Sequence, residues 1–284
     1  MIFRVVTDST CDLPPGALAG MDVTVVPCSV HFGEEHLRDG QDIANAEFYQ
    51  RLARDPIHPS TSQPSVGAFL DAYGQKDHDG QTDDGLGILS LHVSSRLSGT
   101  VNSATQAKAQ LQGNGPRIEV VDSLTVSLGL GILVLEAARI AQAGGRLEEA
   151  VEFLQREGPR VHAYCSVDTM KYLVRGGRAS RLQGFFGTLL DIKPVIEVKD
   201  GETHPVDRVR TRKRLAARFV ELVRDQGPIK ALGFIHGNCR SDAEWMADAA
   251  APYFPRERML ITEFSPVMGV HLGPGALGVA LWTG

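Results

Sequence analysis

Short apolar, β-branched segments alternate with helical patterns along the first half of the chain. The segments are bounded by turn-forming residues, as buried strands are, and cover residues 2–6, 23–30, 86–92 and 118–122. Apolar residues at helical spacing occur at 48–54, 66–73, 99–111, 126–143 and 147–155. Strands that alternate with helices form parallel sheets, so the pattern predicts an α/β domain.

In the second half of the chain, strands and helices do not alternate regularly. Strand-like segments occur at 161–167, 193–198, 204–209, 229–236, 258–264 and 277–282, and helical patterns occur near 168–173, after Arg178, and at 211–225 and 241–251. The Asp200–Gly201 step favours a hairpin turn, which indicates an α+β layer. Gly158–Pro159 suggests a boundary, so we predict domains 1–158 and 159–284, with a ligand site in the crevice between them.

Composition and charge narrow the class of protein. The chain is 43% hydrophobic and 22% charged, as folded globular proteins are, and its net charge of -5 argues against a broad nucleic-acid surface. The first residues pass quickly from apolar to polar, so we expect no signal peptide, no stable membrane insertion and a cytoplasmic location. Four scattered cysteines without a C-x-x-C pair predict reduced thiols and no metal site.

Hydroxyl residues precede the helical pattern that begins near residue 66. Ser60, Thr61, Ser62 and Ser65 lie within capping range, and Pro64 suits a first helical position. A well-capped helix explains this segment by itself. The functional alternative is an anion cradle, because backbone N–H groups are free at a helix start.

A second hydroxyl cluster follows the predicted strand 86–92. Ser94, Ser95 and Ser98 carry the chain from a strand end into a helix, where Ser98 could bond a carboxylate and Gly99 allows close approach. The alternative is that Ser98 is a catalytic nucleophile. Ser98 lacks the G-x-S-x-G elbow, however, and the sequence shows no ordered set of catalytic partners.

Two later motifs offer positive charge and a histidine. Arg175–Gly176–Gly177–Arg178 places two guanidinium groups around a turn, suited to an anionic ligand, to a partner or simply to solvent. His271 lies among small residues that leave room for a head group. The G-x-G-x-x-G at Gly273, Gly275 and Gly278 is too close to the C-terminus for a dinucleotide fold, and no Walker motif occurs, so no nucleotide cofactor is expected.

Five cations lie between Arg208 and Arg214, with Arg208 and Arg210 on one face of a strand. A solvated charged edge, nucleic-acid binding and protein docking all fit such a run. The run contains no aromatic residue for stacking and the chain is acidic, so protein docking is favoured over nucleic acid.

Taken together, the motifs resemble those of the DegV family over nearly the whole chain. The resemblance rests on residues 6–14 (VTDSTCDLP), 61–65 (TSQPS), 94–100 (SSRLSGT), 121–123 (VDS), 168–178, 192–194 (IKP) and 269–276. The segment Gln75 to Gly85 is longer than the family's usual loop and leaves these motifs intact.

The resemblance implies a two-domain fold that encloses a long-chain fatty acid in a tunnel, without catalysis of its own. It further implies that the carboxylate is presented to a separate ATP-dependent kinase subunit, which makes an acyl phosphate for phospholipid synthesis. The ligand-binding residues expected are Thr61, Ser62, Ser94, Ser95, Ser98, Gly99, Arg175 and His271. Kinase docking is expected at Arg178, Arg208 and Arg210. The alternative is an acyl or phosphate hydrolase that uses Ser98 and His271.

Overall fold

The computed structural model describes residues 2–74, 86–111, 115–179, 182 and 192–284. The long segment Gln75 to Gly85 and most of the helix expected after Arg178 lie outside the described residues. The strands in chain order are β1 Phe3–Asp8, β2 Val23–Val26, β3 Ser29–Phe32, β4 Glu35–Arg38, β5 Ser60–Ser62, β6 Gly87–His92, β7 Ile118–Asp122, β8 Val161–Ser166, β9 Lys193–Lys199, β10 Glu202–Val209, β11 Ile229–His236, β12 Leu260–Glu263 and β13 Leu277–Thr283.

The helices in chain order are α1 Asn45–Arg54, α2 Val66–Tyr73, α3 Thr100–Gln110, α4 Leu128–Gln142, α5 Leu147–Glu157, α6 Lys171–Arg175, α7 Arg212–Arg224, α8 Arg240–Ala250 and α9 Pro266–Leu272. Most agree with the sequence prediction to within a few residues. The clearest omission is α9, whose apolar residues are interrupted by Gly269 and His271.

The first half forms the predicted parallel sheet. Its strand order is β2-β1-β6-β7 with every pair parallel. Both β1 and β6 are buried at every position, which is why apolar residues predominate in their sequences without a regular polar alternation.

The predicted strand 23–30 is wrong as one element. It divides at Pro27, which has no N–H to donate to a sheet, into β2 and β3. After the division β3 joins a separate antiparallel sheet of order β4-β3-β5. This small sheet was not predicted, because β5 consists of the three polar residues Ser60–Ser62 and forms by pairing with β3.

The second half forms a mixed sheet of order β10-β9-β8-β13-β11-β12. Its pairs are antiparallel except β11 with β12. The predicted hairpin joins β9 to β10, and its turn residues Asp200 and Gly201 have φ of 51° and 81°, as a tight two-residue turn requires. The α+β second layer is therefore confirmed.

Helix α4 joins the two halves. It contacts β1 of the parallel sheet and β8, β11 and β13 of the mixed sheet. One hydrophobic cluster accordingly includes Val5 and Leu89 from one sheet, Leu133 from α4, and Ile235 and Ala280 from the other. The chain thus has the expected two-domain α/β architecture. The exact boundary after residue 158, between α5 and β8, stays a prediction.

Candidate functional site

Two adjoining, mainly apolar spaces lie between the two halves. They share the walls Val126, Cys165, Val198, Met268 and Leu272, and together we call them the passage. The inner space is lined mainly by small and apolar residues, among them Gly129, Ala163, Phe264 and Val279. Such a passage suits a hydrocarbon chain.

The outer end of the passage is polar. Thr61, Ser62 and Gln63 reach it from β5 and the loop that follows, and Ser98 reaches it from the loop before α3. Arg178, after α6, and His271, on α9, complete it from the second half. The structure therefore brings together four of the predicted ligand residues, namely Thr61, Ser62, Ser98 and His271. It adds Gln63, an exposed residue that was not among the predicted ligand residues.

Thr61 and His271 are in direct contact. The Thr61 hydroxyl oxygen lies 2.9 Å from Nε2 of His271. Burial, together with the positive charge of Arg178 and the nearby His58, lowers the pKa of His271 to about 4. The imidazole is consequently neutral at pH 7 and takes part in hydrogen bonding without a charge.

Arg178 and Arg175 occupy different environments. Arg178 lines the cavity, and its Nη1 donates to the Gly176 carbonyl at 2.6 Å. Both arginines are exposed, but Arg178 is partly desolvated by its surroundings, which lowers the pKa of its guanidinium from the usual value. Arg175 lies outside the cavity lining. The structure therefore places the expected docking arginine at the polar end, and the expected ligand arginine on the surface beside it.

Ser94 and Ser95 do not line the cavity. Ser94 is fully buried and donates to the Gly201 carbonyl at 2.8 Å, so it joins the β6–α3 loop to the β9–β10 hairpin. The side chain of Ser95 is exposed, and its backbone N–H donates to Asp122. Gly99 does not line the cavity either: a Cβ on it would lie 2.5 Å from Nε2 of Gln63, so its close approach is to that side chain. Its approach to a ligand stays a prediction.

The two predicted helix starts differ in detail. Ser65 caps α2, with its hydroxyl accepting from the Ala68 N–H at 3.1 Å, and Pro64 precedes the cap, so it does not occupy the first helical position. At α3 the cap is Gly99, without a side-chain bond, and Ser98 lies 2.8 Å from the Thr100 hydroxyl. The Ser98 side chain thus remains at the cavity wall.

The arrangement of Ser98 and His271 is unlike an activated nucleophile. Nε2 of His271 faces Thr61, and among the described residues its Nδ1 has no hydrogen-bond partner, so no carboxylate orients the ring. The other candidate in the passage is Cys165, but burial raises its pKa to about 12, which keeps the thiol protonated.

A serine, a histidine and an aspartate do meet elsewhere, and no motif in the sequence indicates it. His92 Nδ1 lies 3.1 Å from Asp8, and its Nε2 lies 2.6 Å from the Ser90 hydroxyl. All three side chains are fully buried at the ends of β1 and β6, and neither space of the passage reaches them. They form a hydrogen-bonded network within the core.

Two of the five cations between Arg208 and Arg214 are neutralised by ion pairs. Arg212 pairs with Asp242, and Arg214 pairs with Glu221. Arg208 and Arg210 are exposed at the end of the edge strand β10, and their side chains have no ion-pair partner in the described part of the chain.

The described residues contain neither a candidate membrane span nor a candidate metal cluster. No helix there is both long enough and apolar enough to cross a membrane. No group of three or more His, Cys, Asp or Glu side chains in those ranges could hold a metal ion.

Comparison with known proteins identifies the family. The family model described as "Uncharacterised protein, DegV family" matches residues 2–283. A DegV domain-containing protein of Deinococcus radiodurans is 37% identical, over 99% of this chain and 98% of the relative. A DegV family protein of Thermus thermophilus, described by its fatty acid binding, has a TM-score of 0.88 and 32% identity over 100% of both chains. A stearic acid-binding protein of Eubacterium ventriosum has a TM-score of 0.88 and 26% identity, over 99% of this chain and 98% of that one. This chain belongs to the DegV family.

Proposed function

We propose that this protein binds a long-chain fatty acid, with the tail in the apolar passage and the carboxylate at its polar end. The observation that carries the proposal is the passage itself, which is apolar along its length and ends at Thr61, Ser98, Arg178 and His271. The solved relatives described as fatty acid-binding proteins share this fold over their whole length, which supports the same ligand class here.

The energetics fit a hydrophobic tail with a polar anchor. Each buried methylene contributes about 0.8 kcal/mol, so a long chain contributes roughly 10 kcal/mol before the costs of association. A buried carboxylate without partners would cost several kcal/mol. The hydroxyls of Thr61, Ser62 and Ser98 and the guanidinium of Arg178 can supply those partners. We leave Ser94, Ser95 and Arg175 out of this set, because they lie outside the cavity lining.

We further propose that the protein is a carrier without catalysis of its own. The geometry supports this, since Nε2 of His271 is engaged by Thr61 and no carboxylate among the described residues orients the ring. The thiol of Cys165 stays protonated, which makes it a poor nucleophile. A cytoplasmic kinase subunit would then receive the carboxylate and form the acyl phosphate with ATP. Arg208 and Arg210, exposed at the end of an edge strand, provide a cationic surface for that subunit.

Native mass spectrometry of protein purified from cells tests the ligand. We expect one long-chain acid per chain, identified after organic extraction, and rebinding of stearic acid after its removal. Protein that arrives empty and does not bind added stearic acid contradicts the proposal. Hydrolysis of acyl or phosphate esters that disappears in Ser98→Ala would support the hydrolase instead.

The kinase step needs its own experiment. Arg208→Glu with Arg210→Glu should bind stearic acid normally but associate more weakly with the kinase subunit, most clearly at low salt. Lys213→Glu, on the same run but in α7, is the matched control. Association that is unchanged at every salt concentration would remove the cationic surface from the proposal.

A further inference from the structure

The turn after α6 packs directly on the ring of His271. A Cβ placed on Gly176 would overlap Nδ1 of His271 and lie 3.1 Å from Cε1. The backbone of Gly176, with φ of -75° and ψ of -4°, is open to other residue types. Glycine is therefore needed at 176 because any side chain would collide with His271. At 177 glycine is needed for a different reason, because the backbone there has a φ of 72°, which other residues rarely adopt.

The contact distinguishes the two nitrogens of His271. Nε2 lies 2.9 Å from the Thr61 hydroxyl, while Nδ1 is buried and has no hydrogen-bond partner among the described residues. A neutral imidazole carries its proton on one nitrogen and a lone pair on the other. The tautomer decides whether His271 donates to Thr61 or accepts from it.

The surroundings favour a lone pair on Nδ1. A proton there would be a buried donor without an acceptor, and such orphaned N–H groups are rarer in proteins than under-satisfied acceptors. One Cα hydrogen of Gly176 points along the direction of the absent Cβ, toward Nδ1. A lone pair can face this hydrogen in a weak C–H contact, whereas an N–H would clash with it.

We propose that Gly176 is a positioning residue for the ligand's head group, because its Cα hydrogen holds the proton of His271 on Nε2. His271 then donates to Thr61, and the Thr61 hydroxyl is left to donate its own hydrogen to the bound carboxylate. With the other tautomer, Thr61 would donate to His271 and turn its lone pairs toward the anion. This inference rests on the proposed binding of a fatty acid.

The same peptide also holds the cation of the site. The Gly176 carbonyl accepts a hydrogen bond from Nη1 of Arg178 at 2.6 Å. One glycine thus orients a neutral donor chain, from His271 through Thr61, and a positive charge toward the same end of the passage.

The tautomer can be measured on the wild-type protein without ligand. In nitrogen-15 NMR of histidine-labelled protein at neutral pH, His271 should show a protonated Nε2 and an unprotonated Nδ1. The opposite pattern would overturn the inference. This result does not depend on fatty acid binding, or on whether any variant folds.

Binding measurements then test the consequence. Gly176→Ala should bind stearic acid about tenfold more weakly, the effect of losing one bond to a charged group, and octadecan-1-ol with little change. Gly227→Ala is the matched control, because a Cβ on this exposed glycine meets nothing within 4 Å. In a His271→Ala background the Gly176→Ala loss should disappear.

The outcomes separate the two proposals. A wild-type protein that binds no stearic acid refutes the fatty-acid function, and the NMR experiment still decides the tautomer. Normal stearic acid binding by a folded Gly176→Ala protein, or an equal loss with and without His271, shows that Gly176 does not act through the histidine.

Discussion

The Thr61 hydroxyl and Nε2 of His271 meet at 2.9 Å although 210 residues separate them in the chain. Thr61 lies on β5 of the small sheet, and His271 lies on α9, which packs against that sheet. The polar end of the cavity therefore exists only when the two halves of the chain are folded together. This relationship leads to the first prediction.

Replacing Thr61 by valine keeps the shape of the side chain and removes its hydroxyl. We expect the Kd for stearic acid to rise about tenfold, because a hydrogen bond to a charged group is lost while the tail remains buried. Calorimetric titration of delipidated protein measures this. Thr105→Val, on the exposed face of α3, is the control. An unchanged Kd in Thr61→Val would place the carboxylate elsewhere.

Arg178 and Arg175 provide a matched pair of substitutions. Arg178→Gln should weaken stearic acid binding by roughly tenfold or more, since a charge-assisted bond at the cavity is removed. Arg175→Gln should have little effect, because this side chain lies outside the lining. Both are measured by the same titration. A larger loss for Arg175→Gln would restore the assignment made from the sequence.

Ser94 is predicted to act on stability. Ser94→Ala leaves the Gly201 carbonyl without its donor and should lower the free energy of unfolding by about 1 to 2 kcal/mol in urea denaturation. Ser95→Ala, at an exposed side chain, should change it by less than about 0.5 kcal/mol. Unchanged stability with weaker stearic acid binding in Ser94→Ala would instead support a head-group role.

Asp39 should make stability depend on pH. Burial, together with the negative charge of the nearby Asp12, raises the pKa of its carboxyl from the ordinary value of 3.8 to about 7. Between these values the folded protein holds a proton that the unfolded chain has released, so this group's contribution to stability falls as pH rises from about 4 to about 7.

The substitution Asp39→Asn removes that titration. Relative to the wild type, its free energy of unfolding should increase with pH by up to about 1.4 kcal/mol per pH unit in this window. Urea denaturation between about pH 5 and about pH 8 gives the difference. Asp71→Asn, at an exposed position on α2, makes the same chemical change at the surface and is the control. A difference for Asp39→Asn that does not vary with pH would contradict the raised pKa.

Local signals in the sequence determined most of the elements and the fold class. Apolar runs gave β1 and β6, helical periodicity gave α2 to its exact ends at Val66–Tyr73, and the Asp200–Gly201 step gave the hairpin. These succeeded because each depends on interactions within a few residues of the chain. The sequence motifs alone also indicated the DegV family.

Tertiary structure decided which side chains reach the ligand cavity. The sequence could not separate Arg175 from Arg178, or Ser94 from Ser98, because neighbours in a turn share composition but point in different directions. Their directions are fixed by distant partners, such as the hairpin carbonyl that holds Ser94. Likewise, β5 forms only by pairing with β3, and Gly176 matters only because α9 brings His271 against it. Packing between remote elements sets these contacts, and no periodicity within a segment encodes them.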